Sequence, residues 1–234
     1  MYINIINRLI IALALIFSFH MQCFSQAADH KFWTSIDLKK EVKNWDLSAE
    51  VEVREKGFFE KTERLSLQIE GLYNFSKFLS SGISYSLMDF YDYKYDDYQL
   101  RHRVQAILGS DIDLGRFEFS IKERGELTSK DEKDRISDGE IDTYKINPEI
   151  IWRNKMKIEF DIPNFSLFPS LSLETFYLLN DPDGNRFEKL RYTFGLSYKV
   201  NKHNKFNVFG IYNNELIDGE ADSYVTGLGY SYTF

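Results

Sequence analysis

Charged residues recur at alternate positions through much of this 234-residue chain, and their spacing sets the chemistry available to it. Glu50, Glu52 and Arg54 share one side of a segment, Arg64 and Glu70 share one side of the next, and Arg101, Arg103, Lys122, Arg124, Arg153, Glu174 and Arg191 follow the same rule further on. Side chains of mixed sign placed this way have two uses. They pair across neighbouring strands and brace a wall, or they line a watery path in which the arginines set ion preference. Catalysis is poorly served: there is no Gly-x-Ser-x-Gly elbow and no His-Glu-x-x-His pair, and beyond residue 25 the histidines are His30, His102 and His203. No enzyme, cofactor or metal site is expected. The acidic, tyrosine-rich run 91–98 has the composition for stacking on sugars, and Asp131, Glu132, Asp134, Asp138, Glu140 and Asp142 the composition for holding calcium. Neither has calcium-loop spacing, and solvated loops explain both.

The segments carrying these charges read with period two, as strands with one apolar and one polar face. In 45–54, Trp45, Leu47, Ala49, Val51 and Val53 oppose Asp46, Ser48, Glu50, Glu52 and Arg54. Next, Leu65, Leu67, Ile69 and Tyr73 oppose Arg64, Ser66, Gln68 and Glu70. Further strands are expected near 79–90, 97–109, 116–127, 142–160, 166–179, 187–200, 205–216 and 222–234. Tight links near 76–77, 111–114, 161–165 and 201–204 interleave with longer ones near 56–62, 90–97, 128–141, 180–186 and 217–221. Bacterial outer-membrane barrels alternate in this way, with short periplasmic turns and longer outside loops. Trp33 to Val42 is also strand-like and gives an eleventh strand. The expectation is an all-β, antiparallel up-and-down transmembrane barrel of ten to twelve strands, with ten or twelve preferred over eleven because single-chain bacterial barrels have even numbers.

Composition narrows the class. The 28% charged and 43% hydrophobic content excludes a disordered chain, and a net charge of -7 without basic clusters argues against nucleic acid. No apolar run reaches the 18 residues of a helical membrane span. Residues 1–25 read as a cleaved secretory signal, with Arg8 before an apolar stretch from Leu9 to Phe19 and small or polar residues at Cys23 and Ser25. Cleavage after Ser25 leaves Gln26 first and a single barrel domain over 26–234; cleavage after Ala27 or Ala28 is an alternative. Gln22 before the only cysteine, Cys23, disfavours a lipid anchor.

A soluble barrel shows the same alternation with its apolar face inward. The placement of aromatics favours the membrane. Trp45, Tyr73, Phe75, Phe78, Phe117, Tyr198 and Phe206 crowd the short-turn ends, and Tyr98, Tyr144, Tyr177, Tyr212 and Tyr224 the long-loop ends, as two interfacial girdles require. By parity His102 belongs with Leu100, Val104 and Ala106 on the apolar face, at the outer girdle. The chain closes on Gly229-Tyr230-Ser231-Tyr232-Thr233-Phe234, and Gly229, Tyr232 and Phe234 resemble the terminal signal read by the outer-membrane assembly machinery.

Taken together, the chain resembles a family of small outer-membrane barrels of unknown function from Gram-negative bacteria. The resemblance rests on Trp33-Thr34-Ser35, on Glu50, Glu52 and Arg54, and on Leu100-Arg101-His102-Arg103. It continues through Leu173-Glu174-Thr175-Phe176-Tyr177, the run from Leu190 to Leu196, and the aromatic tail. It implies a barrel fold and an outer-membrane location, and no activity. The acidic stretch 128–142 has no counterpart in it.

The functional expectation is a narrow passive pore or a structural barrel with a charge-laced lumen. Small polar solutes, outer-membrane lipids, the assembly machinery and periplasmic chaperones are its expected partners. Ser80, Gly82, Ser84, Ser86, Ser170, Ser172, Gly195 and Ser197 leave room for water opposite the charges. A barrel enzyme using loop-side carboxylates, or an adhesion barrel acting through loops 90–97 and 128–142, is the alternative.

Overall fold

The computed structural model describes residues 29–57 and 59–234. The signal peptide expected at 1–25 and its cleavage site lie outside the described residues. Eleven long strands close into a barrel: β1 (Asp29–Val42), β2 (Trp45–Lys56), β3 (Lys61–Asn74), β4 (Leu79–Asp92), β5 (Asp97–Leu114), β6 (Phe117–Lys130), β9 (Glu149–Phe160), β10 (Leu167–Leu178), β11 (Arg186–Lys199), β12 (Asn204–Glu215) and β13 (Ser223–Thr233). Two short strands, β7 (Ile136–Ser137) and β8 (Glu140–Ile141), form a hairpin inside the loop between β6 and β9.

Eleven lies within the expected range, but the preference for an even number does not hold. Trp33 to Val42 is an additional strand, and the segment 142–160 supplies one barrel strand, Glu149–Phe160. An odd count makes the first and last strands run the same way, so β1 and β13 close the barrel as a parallel pair from Asp29 opposite Ser223 to Lys39 opposite Thr233. All other neighbours in the barrel are antiparallel. Parallel ladders are slightly weaker per residue, which makes this pair the seam of the wall. It also places Asp29 at the loop rim and Thr233 at the turn rim.

The links differ less in length than expected. Strands β2 and β3, and β4 and β5, run on until only 57–60 and 93–96 separate them, and the long connections are 131–148, 179–185 and 216–222.

Strand stagger follows from the register. From Trp33, pairing through β2, β3 and β4 reaches Gln99 on β5, whereas pairing through β13, β12, β11, β10, β9 and β6 reaches Asp113, fourteen residues further along the same strand. For eleven strands ~4.8 Å apart rising ~3.3 Å per residue, that stagger gives a tilt of about 41° and a Cα radius of about 11 Å. Such a radius holds two facing layers of long side chains with a narrow space between them.

The two faces are inverted relative to a soluble protein. Ile69, Ile83, Leu171 and Phe194 are more than half exposed on the outside, while Glu126, Glu174, Gln99 and Ser84 are almost wholly buried inside. At the turn end the outside carries packed rings, Trp45 edge-on to Tyr73, Tyr73 edge-on to Phe75, and Phe206 tilted against Tyr230. At the loop end Tyr192, Tyr212 and Tyr224 stack in a row. Tyr144 is the exception to the expected girdle: it sits in the 131–148 loop with its ring 3.8 Å from the Arg135 guanidinium. His102 faces outward as expected and shares a 2.7 Å hydrogen bond with Tyr85.

Candidate functional site

Alternation along the strands turns the even-numbered residues of β2, β3, β6 and β10, and the odd-numbered residues of β1, β5, β9 and β11, toward the lumen. Because the strands are staggered, residues far apart in sequence arrive at one depth. There six arginines, Arg54, Arg64, Arg103, Arg124, Arg153 and Arg191, surround three carboxylates.

Glu52 takes Arg54 at 2.8 Å and is also paired with Arg64. Glu126 takes Arg153 at 2.6 Å and Arg103 at 3.7 Å. Glu174 takes Arg153 at 2.8 Å, Arg124 at 3.0 Å and Arg191 at 3.6 Å. Arg153 therefore bridges two acids. Neutral donors complete the shell: Gln105 donates to Glu126, and Ser84 donates to Gln105 at 2.6 Å. An isolated charge at this burial is costly, and this mutual pairing is what makes the layer tolerable.

Apolar side chains share the same depth. The Arg54 guanidinium lies 3.5 Å from the Trp33 ring, and Arg153 and Arg191 lie 4.5 and 4.9 Å from Phe176. Trp33 packs with Ile211 and Val225, and Phe176 with Ile151 and Leu178. Beneath Trp33 the Phe209 ring covers Gly227, where a Cβ would collide with it, as one at Gly82 would with the Gly71 carbonyl oxygen.

On the turn side of this layer the lumen widens into a cavity of about 520 Å³. Serines and glycines line part of it, among them Ser170, Ser172, Gly195, Ser197 and Gly229, with Lys155, Lys157, Lys205, Glu50, Glu70 and Glu159 around them. Its lining runs from the arginine layer to the turn ends of the strands. Gln99, Thr128, Leu178 and Ser223 lie buried on the loop side of the layer. The space is thus a vestibule bounded at its loop end by guanidinium and aromatic groups.

Of the residues singled out by spacing, Glu52, Arg54, Arg64, Arg103, Arg124, Arg153, Glu174 and Arg191 meet in the layer. Glu50 and Glu70 line the vestibule, with Lys122 4.0 Å from Glu70. Arg101 lies nearer the loop mouth, 3.9 Å from the Phe90 ring and 5.6 Å from Tyr144. At the chain end Tyr232 packs edge-on against Phe234, and Gly229 pairs with Ser35.

Sequence reasoning missed Glu126, Lys155 and the inward turn of Trp33. Parity with Arg124 and Arg153 would have found the first two. It also missed Glu63, since the extra residue opposite Arg54 on β3 sends both Glu63 and Arg64 inward, where Glu63 takes Lys31 at 2.8 Å.

Above the mouth, Arg135 of the long loop is buried and paired with Asp92 and Asp142. Asp142 also takes Lys94 at 2.6 Å, and these bonds hold its carboxyl below the usual range. Within the acidic run Asp142 is thereby held by cations of the protein itself, and Lys133 lies 3.5 Å from Asp131 and 3.8 Å from Asp134. Among the described residues, no three acidic, histidine or cysteine side chains gather as a metal site.

Residues 30–223 match the family described as protein of unknown function (DUF2490). The chain belongs to that family. No curated protein matches it. Among solved structures, this DUF2490 chain is similar to one described as the NanC porin in a rhombohedral crystal form, at a TM-score of 0.52 and 12% identity, over 89% of this chain and all of the other. At that identity the likeness is one of fold: the DUF2490 chain is an all-β barrel of porin-like architecture.

Proposed function

We propose that this chain is an outer-membrane barrel that conducts small anionic solutes through a narrow lumen gated by its own arginine layer. The observation that carries the reading is the imbalance of that layer, six guanidinium groups held by three carboxylates at the end of a vestibule of about 520 Å³. An excess of fixed positive charge in a constriction attracts anions and repels cations. The apolar exterior between two aromatic girdles supports insertion in a bilayer. In this reading residues 1–25 direct export, periplasmic chaperones carry the chain, and Gly229, Tyr232 and Phe234 are read by the assembly machinery. The long loops face outward. No catalytic step is assigned.

The packing of Trp33, Ile211 and Val225 beside the arginines favours a second reading, a structural barrel permanently closed at mid-depth. Planar-bilayer recording of the refolded barrel in a salt gradient decides between them. Discrete steps with an anion-directed reversal potential support the pore, and replacing Arg191 and Arg124 by Gln should then weaken that selectivity. Silence from a folded barrel supports the structural reading, and cation selectivity would overturn the role given to the arginines.

A further inference from the structure

The outer face of β6 runs Phe117, Phe119, Ile121, Glu123, Gly125, Leu127. Glu123 is the seventh of fourteen residues in that strand, so its carboxylate faces outward halfway between the two rims. Other outward-facing acids, such as Glu55 and Asp89, lie within a few residues of a strand end. A carboxylate at the centre of a lipid-facing surface is costly and marks a site of function by default.

Glu123 does not stand alone. It pairs in register with Asn154, and Asn154 with Thr175, forming a polar row across β6, β9 and β10. The Trp152 indole donates to Glu123 Oε2 at 2.8 Å and to Asn154 Oδ1 at 2.9 Å, and Asn154 Nδ2 donates to Thr175 Oγ1 at 3.1 Å. A carboxylate accepts about four hydrogen bonds, so one shared indole N–H leaves most of that capacity unused. Among the described residues no lysine or arginine forms an ion pair with it.

Beside the row lies a dent. Gly125 pairs with Ala106 on one side and Trp152 on the other, and a Cβ at Gly125 would meet nothing within 4 Å. Trp152 stands out next to it, 45% exposed. At the same depth the far wall of the barrel is apolar, with Ile36, Val208 and Leu228 facing outward.

We propose that this flank is a dimer interface, and that its occupant is a second copy of this chain. The reasoning extends the membrane reading and depends on it. Two copies inserted the same way are related by rotation about the membrane normal, which brings equal depths together. A two-fold axis through this flank sets the Glu123 acceptor of one copy against the Asn154 and Thr175 row of the other, and Trp152 against the dent at Gly125 and Ala106. The surface is complementary to itself, as an isologous contact requires. Small residues permit close approach, and polar groups excluded from lipid hold the two walls together.

The test uses the full chain in outer-membrane preparations, where a heat-modifiable gel band reports the folded barrel. Residue 23 holds the only cysteine, so single thiols introduced as Ala106→Cys on this flank and Ile36→Cys on the far wall are readily compared with a short bismaleimide. The expected result is a dimer band at least tenfold stronger for Ala106→Cys than for Ile36→Cys. Adding Glu123→Leu should reduce that band severalfold, and Glu123→Gln, which keeps an acceptor, should restore most of it. Equal bands at both positions, no band from an inserted barrel, or capture of a different protein at Ala106→Cys would each overturn the proposal. Absence of the folded barrel from the membrane would instead overturn the membrane reading, and the dimer with it.

Discussion

The Arg54 guanidinium carbon lies over the Trp33 ring, 3.5 Å from its centroid, and this contact joins the seam of the barrel to its charged layer. Trp33 is on β1, opposite Gly227 of β13 in the parallel closure, while Arg54 is paired with Glu52 on β2. The ring that seats the seam strand therefore also packs against the charged layer. A cation held against an aromatic face in a desolvated site contributes about 2 kcal/mol.

Removing that ring should open the barrel. Trp33→Ala leaves a gap at the narrowest depth between Arg54 and Arg191, whose guanidinium lies 5.3 Å from the same ring. Single-channel conductance should rise severalfold over the parent chain. An unchanged conductance would place the constriction elsewhere.

Glu174 is the acid whose loss should cost most. Three arginines converge on it, and its side chain is 3% exposed. Glu174→Gln leaves them with one fewer counter-charge, and breaking a buried pair in this way costs about 3–5 kcal/mol. Urea unfolding in lipid vesicles should show that loss, with stronger anion selectivity in whatever barrel remains folded. The same change at Glu41, exposed near the β1–β2 turn, should be silent.

The seam predicts a packing defect. At Gly227, on the seam strand, a methyl group would collide with the Phe209 ring of β12, so Gly227→Ala must displace that ring or part β13 from β12. Overpacking of this kind costs about 1–3 kcal/mol. Folding yield in vesicles should fall, and pairing Gly227→Ala with Phe209→Leu should recover much of it.

The long loop has a pH signature. The carboxyl of Asp142 is held below its ordinary value mainly by Lys94 and Tyr95, so its contribution is complete above the unfolded value near pH 3.9 and is lost as pH falls through the lower folded one. Protection against hydrogen exchange in 131–148, taken relative to the intrinsic rate at each pH, should be unchanged from about pH 8 to 5 and should fall only below about pH 4. Lys94→Ala should move that loss to higher pH. Loosening already at about pH 6 would mean that a different group holds the loop.

Much of this protein is written in its period-two pattern. Alternation at 45–54 and 64–73 is enough to assign strands, to separate the face of Glu52 and Arg54 from that of Val51 and Val53, and to foresee a barrel with an apolar exterior. It even holds the signal of Glu123, an acid on the outward parity of β6 between Ile121 and Gly125. What alternation does not contain is depth. Arg153 meets Glu126 and Glu174, 27 and 21 residues away, because the register of β9 against β6 and β10 sets it diagonal to both, and register is a property of the paired sheet. Closure likewise decided that β1 joins β13 in parallel, since only a complete circuit fixes which strand meets the last edge. The extra residue that turns Glu63 inward beside Arg64 arises from pairing too. A strand's own residues determine its two faces through backbone geometry, whereas which charges share a level depends on hydrogen-bond register between strands, and that is settled only when the last strand meets the first.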